Sequence, residues 1–296
     1  MPGITTYGGV MTGRFSSRLG CSTISFRHQD LAGALTTIAG LGFTEIDLGA
    51  LPGVCDHVPY VLDEAAVDDV ARTVAASGLR VRSINGDIGD LNAARRGDWS
   101  DGGESGPDGN DGRDRHTEML VELAAATGAE ALVLPCGALD HQPIESLSVD
   151  LDRVAAELHS AASAAERRGV AVWTESLHYH RLCFNLERAQ ALTDRLDGRV
   201  GIVLDFSHVV ASGGDPVEFV DRFGPRIAHV HIRDAVPGNI NLSPGNGAVD
   251  FGRGLKALAD AGYTGHFSLE LETRDVTHDE RPAATTAAGL LITDLI

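Results

Sequence analysis

The chain has almost no lysine. Of its 24 basic residues only Lys256 is lysine and the rest are arginine, so chemistry that needs a lysine nucleophile has a single candidate. Basic charge is scarce altogether: 42 acidic residues leave a formal net charge of −18. That argues against an uncompensated basic surface for nucleic acid. The four cysteines, Cys21, Cys55, Cys136 and Cys183, are widely spaced and form no CxxC pair. A disulfide framework or zinc-thiolate site is therefore not expected, and a reducing cytoplasm is the expected home. Apolar runs are too short and too interrupted to span a bilayer. The opening segment MPGITTYGGVMTGRFSSRLG lacks the apolar centre of a secretory signal, so neither membrane nor export is expected. With 43% hydrophobic and 22% charged residues, the composition is that of a globular protein and excludes disorder as the main state.

What is present is rhythm. Over the 296 residues, short apolar runs alternate with longer amphipathic segments, the pattern of repeated βα units around a parallel sheet. Candidate strands are Leu19–Phe26, Phe43–Leu48, Leu79–Ile84, Ala131–Cys136, Val170–Ser176, Val200–Phe206, Ile227–Arg233 and Phe267–Glu272. Helical stretches lie between them at Asp30–Leu41, Asp63–Ser77, Arg115–Thr127, Leu147–Arg168, Leu186–Leu196, Pro216–Phe223 and Gly254–Ala261, with a last near Arg281–Leu295. Asp215-Pro216 places an N-cap candidate before a first-turn proline, and Gly42, Gly78, Gly128 and Gly262 stand where helices should end. Eight such units predict one (β/α)8 barrel over residues 1–296, with functional groups at the C-terminal ends of the strands. A doubly wound open sheet is the alternative, but no GxGxxG follows the first strand. Residues Arg95–Arg115, rich in Gly, Asp and Ser, break the rhythm and read as a surface insertion. Trp99 in its middle is the one hint of a lid.

Strand side chains alternate faces, so inward residues can be counted by parity. Trp173 and Glu175 share one face of the fifth strand; Gly201, Val203 and Asp205 share the axial face of the sixth. On the seventh, Ala228, Val230 and Ile232 are expected outward and His229, His231 and Arg233 inward; on the eighth, His266, Ser268, Glu270 and Glu272 face in. Buried charges there must be paired or bound to a metal. Glu175, Asp205, His231 and Glu270 follow one another at 30, 26 and 39 residues, roughly one βα unit per step. Any one of them could be an inward salt bridge with an arginine. Four in phase on adjacent strands suit instead a hard or borderline divalent cation, Mn²⁺ best, with Mg²⁺, Co²⁺ or Zn²⁺ as alternatives. Parity alone does not choose between Glu270 and Glu272, or between His231 and His229.

These residues carry a resemblance. The segments TESLHYH (174–180), VLDFSH (203–208), HVHIRD (229–234) and GYTGHFSLE (262–270) resemble the xylose-isomerase-like sugar phosphate isomerase/epimerase superfamily, with echoes in GFTEIDLG (42–49) and PGNGAVDFGRGLKAL (244–258). The resemblance covers most of the chain, best from Val170 to Glu272. It implies a barrel holding one divalent metal through Glu175, Asp205, His231 and Glu270, with Glu175 and Glu270 doubling as acid and base. It also favours Glu270 over Glu272 and His231 over His229, which is left one layer deeper as a core histidine. Asp205-x-x-His208 places His208 against substrate oxygens. Arg233 is a candidate to hold a hydroxyl, carboxylate or phosphate, or else to pair with Asp234 or Glu272. His178 and His180 follow Glu175 in the loop, and His178 is taken as a substrate contact.

The chemistry such a site implies begins with a cation that polarises a carbonyl and acidifies the adjacent C–H. One glutamate removes that proton to give a metal-bound cis-enediolate, and another group returns a proton elsewhere. Return to the same carbon is epimerisation, and return to the adjacent carbon is isomerisation. Loss of a β-substituent is elimination. The leading expectation is a metal-dependent isomerase or epimerase of a sugar or keto-sugar. The alternative is a lyase of the inosose-dehydratase or keto-glycoside-cleaving kind. A three-zinc nuclease like endonuclease IV would need histidines on the early strands, which end IDLGA, SINGD and LPCG, and a D-x-H after the seventh. A non-catalytic sugar-binding barrel is disfavoured by the complete ligand set. PGNG (244–247) is a weak phosphate candidate without a basic cluster beside it, so an unphosphorylated substrate is expected. Alanine-rich helical faces leave room for a homo-oligomer.

Overall fold

The computed structural model describes residues 14–95 and 110–296. Eight parallel strands form the barrel: β1 (Leu19–Cys21), β2 (Glu45–Ala50), β3 (Arg80–Gly86), β4 (Ala131–Pro135), β5 (Ala171–Glu175), β6 (Val200–Asp205), β7 (Ile227–Ile232) and, last in the chain, β10 (Phe267–Leu269). Their order is β1-β10-β7-β6-β5-β4-β3-β2. The end strands β1 and β2 lie side by side without a shared ladder, and the Glu45 carbonyl stands 3.0 Å from where a Cβ on Gly20 would be. The barrel is therefore nearly closed. Helices α1 (Leu31–Leu41), α2 (Glu64–Ser77), α3 (Asn110–Thr127), α4 (Leu147–Glu166), α5 (Leu186–Thr193), α6 (Phe206–Ala211), α7 (Pro216–Phe223), α8 (Phe251–Asp260) and α9 (Arg281–Thr293) surround it.

The helix starts follow local chemistry. The side chains of Asp30, Asp63, Ser146, Asn185 and Asp215 each accept a backbone N–H in the first turn, satisfying donors that the helix itself cannot. Gly42, Gly78, Gly128 and Gly262 all adopt positive φ at or just beyond helix ends, as the sequence predicts. The main apolar core lies between sheet and helices, and a smaller one of Ala131, Val133, Trp173 and Val203 fills the barrel interior. Above this plug the axial side chains turn polar. That layering places the ionisable groups at the C-terminal mouth.

Three local expectations change. The first strand stops at Cys21, because Ser22 caps a 3₁₀ turn over Thr23–Phe26. Helix α3 begins at Asn110, five residues before the apolar period starts, because polar contacts hold its first turns: Asp114 pairs with Arg95, and Arg113 with Glu157 and the Asp90 carbonyl. Ala228 packs against the interior cluster instead of facing out. A register shift between Ile202 and Val203 causes this, bringing Ala228 beside Trp173 at Gly201, where an added Cβ would meet both at 2.7 Å. Trp99 and most of the predicted insertion lie outside the described residues. After β7 the chain forms an antiparallel hairpin, β8 (Asp234–Val236) and β9 (Asn239–Leu242), which the sequence reading treats as plain loop. Among the described residues no helix is long and apolar enough to cross a membrane.

Candidate metal centre

Glu175 and Asp205 are the last residues of β5 and β6, His231 pairs in register with both Asp205 and Ser268, and Glu270 follows β10 directly. The sheet thus brings the four predicted ligands to one level. One ligand atom from each lies within 4.8 Å of the others, and all four residues are buried. His231 Nδ1 is 3.2 Å from Glu175 Oε1 and 3.6 Å from Glu270 Oε2. Asp205 divides its two oxygens. Oδ1 caps α6, accepting from the Ser207 N–H and hydroxyl, both at 2.6 Å, and from the His208 N–H, while Oδ2 faces the site. Asn85 donates to Glu270 Oε1 at 2.9 Å, which leaves Oε2 toward the cluster.

Arg233 is 2% exposed and runs through this group. Its Nη2 lies 3.2 Å from Asp205 Oδ2 and 3.6 Å from Glu270 Oε2, its Nη1 3.5 Å from Glu272 Oε2, and its Nε donates to Ser207 Oγ at 3.0 Å. Burial pulls against the charged guanidinium, but Asp205 and the surrounding glutamates outweigh it and raise its pKa. Glu272 also pairs with Arg27 and stands outside the four-residue group. Asp234 does not pair with Arg233; its carboxylate has other partners, given below.

The electrostatics are those of crowded carboxylates. Burial, with the charge of Glu175 nearby, pushes the Glu270 carboxyl up to about 7 against the pull of His231 and Arg233. Burial would lower His231, yet Glu270, Asp47 and Glu175 raise it well above the ordinary range. His208 and His178 go the other way: burial, then Arg233 for the first and His208 for the second, hold them well below it. Both rings are therefore neutral near pH 7. A backbone N–H donates to Nδ1 in each, from Tyr179 to His208 and from His180 to His178, both at 3.2 Å. For His178 the proton is thus assigned to Nε2, whereas both ring nitrogens of His208 face donors, Nδ1 the Tyr179 N–H and Nε2 the Arg233 Nη2 at 3.3 Å. Those Nε2 atoms lie 3.9 Å from Glu175 oxygens, and the two rings lie 3.8 Å apart. His180 is set back beside Tyr179.

Three carboxylates and an imidazole nitrogen suit one hard or borderline divalent cation, whose ligand atoms at about 2.0–2.3 Å would stand roughly 3–4 Å apart. The spacing here and the upward pressure on Glu270 fit such an ion. Two polar residues at the centre escaped the sequence reading. Asp47 on β2 lies beneath His231, with Oδ2 2.8 Å from His229 Nε2, and Asn85 on β3 holds Glu270. A parity signal existed for the first, since Glu45, Asp47 and Gly49 alternate inward in GFTEIDLG. His229 sits deeper, stacked on Trp173 at 5.3 Å.

The Gly-rich turn after the hairpin is already filled. Asp234 accepts the N–H groups of Ala235, Gly245, Gly247 and Val249 at 2.8–3.0 Å. A Cβ on Gly247 would lie 2.2 Å from Asp234 Oδ1, so only glycine admits the carboxylate. The backbone donors that could have cradled a phosphate are spent.

A parallel barrel with Glu, Asp, His and Glu converging at the ends of its last four strands defines a class of protein before any comparison is made. The family described as xylose isomerase-like TIM barrel matches residues 35–293, and the chain belongs to it. The rhizopine catabolism protein MocC of Rhizobium meliloti is 38% identical over 92 residues, covering 25% of this chain and 28% of that protein. An inosose dehydratase of Bacillus thuringiensis is 26% identical over 144 residues, covering 41% and 47%. The matches thus span less than half the length of these curated relatives. Among solved structures, the IOLI protein with a bound zinc atom has a TM-score of 0.73 over 94% of this chain and 99% of its own, at 19% identity. The 3-keto-D-glucoside 4-epimerase YcjR from E. coli has a TM-score of 0.70 over 93% and 99%, also at 19% identity. At that identity the two structures establish the fold alone.

Proposed function

We propose that the chain is a divalent-metal-dependent isomerase or epimerase of an uncharged sugar or keto-sugar. In this reading Glu175, Asp205, His231 and Glu270 hold one cation, Mn²⁺ by preference, and the two glutamates exchange protons with substrate. The observation that carries it is the convergence of those four buried ligand atoms, two of them from glutamates on opposite sides of His231. A cation there would supply carbonyl polarisation and acidify the neighbouring C–H. In the metal-free chain the Glu270 carboxyl is pushed up to about 7, and a bound cation would draw it down to the carboxylate, the form that accepts the C–H proton. One glutamate, as carboxylate, would take the C–H proton while the C–H pair forms a C=C bond and the carbonyl pair moves onto oxygen; the second, entering protonated, would give its proton to the opposite face, or the proton would return at the adjacent carbon. His178 offers an Nε2–H donor to substrate oxygens, and the His208 ring packs against it at 3.8 Å.

The preference for an uncharged substrate rests on the cations near the mouth. Arg233 is consumed by Asp205, Glu270 and Glu272; Arg181 by Asp87 and the Gly137 carbonyl; Arg27 by Glu272. With the turn at 244–247 filled by Asp234, these groups leave Arg274, exposed and near His180, as the cation there without an ion-pair partner among the described residues. A second reading, elimination of a β-hydroxyl from the same enolate, is favoured by the inosose dehydratase relative.

The test is metal analysis followed by incubation of candidate neutral sugars in D₂O. One bound cation per chain and deuterium beside a carbonyl, both lost in Glu175→Gln and Glu270→Gln, are expected. Label without water loss indicates epimerase or isomerase, and label with water loss indicates the lyase. Full turnover in both glutamine variants would overturn the proposal.

A further inference from the structure

We infer that Asp47 is the positioning residue that fixes the tautomer and orientation of His231, so that Nδ1 serves the cation and Nε2 keeps the proton. The inference rests on the metal reading above. The two ring nitrogens of His231 face different surroundings. Nδ1 lies among the carboxylates, 3.2 Å from Glu175 and 3.6 Å from Glu270. Nε2 points down the barrel, has no hydrogen-bond partner of ordinary geometry, and faces Asp47 Oδ2 at 3.4 Å. A neutral imidazole binds a cation through its bare nitrogen and donates its proton from the other, and the acceptor of that proton decides which is which. At this depth Asp47, 1% exposed, stands where that acceptor must be.

Asp47 is itself held in place. His229 Nε2 lies 2.8 Å from the same Oδ2, and the His229 ring is pinned against Trp173 and set edge-on to His231, 5.2 Å between centroids. The chain of contacts therefore runs Trp173, His229, Asp47, His231 and then the ligand cluster. It links the apolar plug to the site through three strands. A plain buried pair between Asp47 and His229 would satisfy the strand packing without bringing Oδ2 under the ligand ring.

The test uses the full chain, with Co²⁺ and Zn²⁺ as probes. Asp47→Asn should weaken Co²⁺ binding by about 10–100-fold and alter its visible absorption, while Asp47→Glu recovers most of both. Metal-free thermal unfolding reports whether the asparagine variant still folds. If it does not, ¹⁵N-detected NMR of Zn²⁺-loaded wild-type protein decides: the proton must sit on His231 Nε2 and the metal on Nδ1. Unchanged Co²⁺ affinity in folded Asp47→Asn, or zinc on Nε2, would overturn the role given to Asp47. Wild-type protein that binds neither ion would instead bring down the metal reading itself.

Discussion

Replacing Arg233 with methionine should make the metal-free protein less stable and the metal site tighter. The guanidinium is 2% exposed and is the cation set directly between Asp205 and Glu270, at 3.2 and 3.6 Å, with Glu272 at 3.5 Å. Methionine fills much the same length but removes the charge, leaving buried carboxylates facing one another. Breaking a buried pair in this way costs about 3–5 kcal/mol. For a chain of this size, at about 2 °C per kcal/mol, the melting temperature in EDTA should fall by about 6–10 °C. The same oxygens that lose Arg233 are those a divalent cation would use, so the variant should bind Mn²⁺ more tightly than wild type. Saturating Mn²⁺ should then recover more degrees in the variant than it adds to wild type. Thermal scans across a Mn²⁺ titration measure both quantities. A metal-free melting temperature unchanged by the substitution, or Mn²⁺ affinity falling together with stability, would refute the charge accounting.

Three further outcomes are expected. Metal-free folded protein holds on Glu270, up to about 7, a proton that the unfolded chain releases near the ordinary 4.5; metal-free stability should therefore decline as pH rises between those values. Cation affinity should climb over the same interval because that proton must leave, and calorimetry in buffers of different ionisation heat should register its release, with a flat profile counting against it. Asp234→Ala strands four backbone N–H donors and should cost at least about 2 kcal/mol in urea unfolding, whereas a loss within about 0.5 kcal/mol would mean those hydrogen bonds are replaced by water.

Much of this architecture can be read from the chain, and the parts that cannot have physical reasons. Barrel strands are buried on both faces, so they show as compact apolar runs, and Ile227–Ile232 or Val200–Asp205 emerge almost at their true limits. Strict alternation then delivers Glu175, Asp205, His231 and Glu270 to one end of the barrel. It fails at Ala228 because one extra residue in the ladder between β6 and β7 reverses facing, and a bulge has no signature in composition. The β8–β9 hairpin is too short for its period to stand out, although Pro237-Gly238 marks its turn. Asp47 escapes notice because an inward acid on an early strand gains meaning only once β7 lies across the barrel from it. Pairings such as Asp47 with His229, 182 residues apart, are products of closure.

The carboxylate of Asp234 is, in effect, a resident anion carried by the protein itself. Its tether keeps it permanently at the turn, so the backbone donors of 244–247 are met from within the chain. The cradle is otherwise complete: Gly245, Gly247 and Val249 already point their N–H groups inward, and glycine already stands where a side chain would collide. The distance between a barrel that ignores phosphorylated sugars and one that grips them can therefore be as short as a single acidic side chain. Divergence of substrate range on this scaffold would then proceed by eviction, with the backbone left as it is.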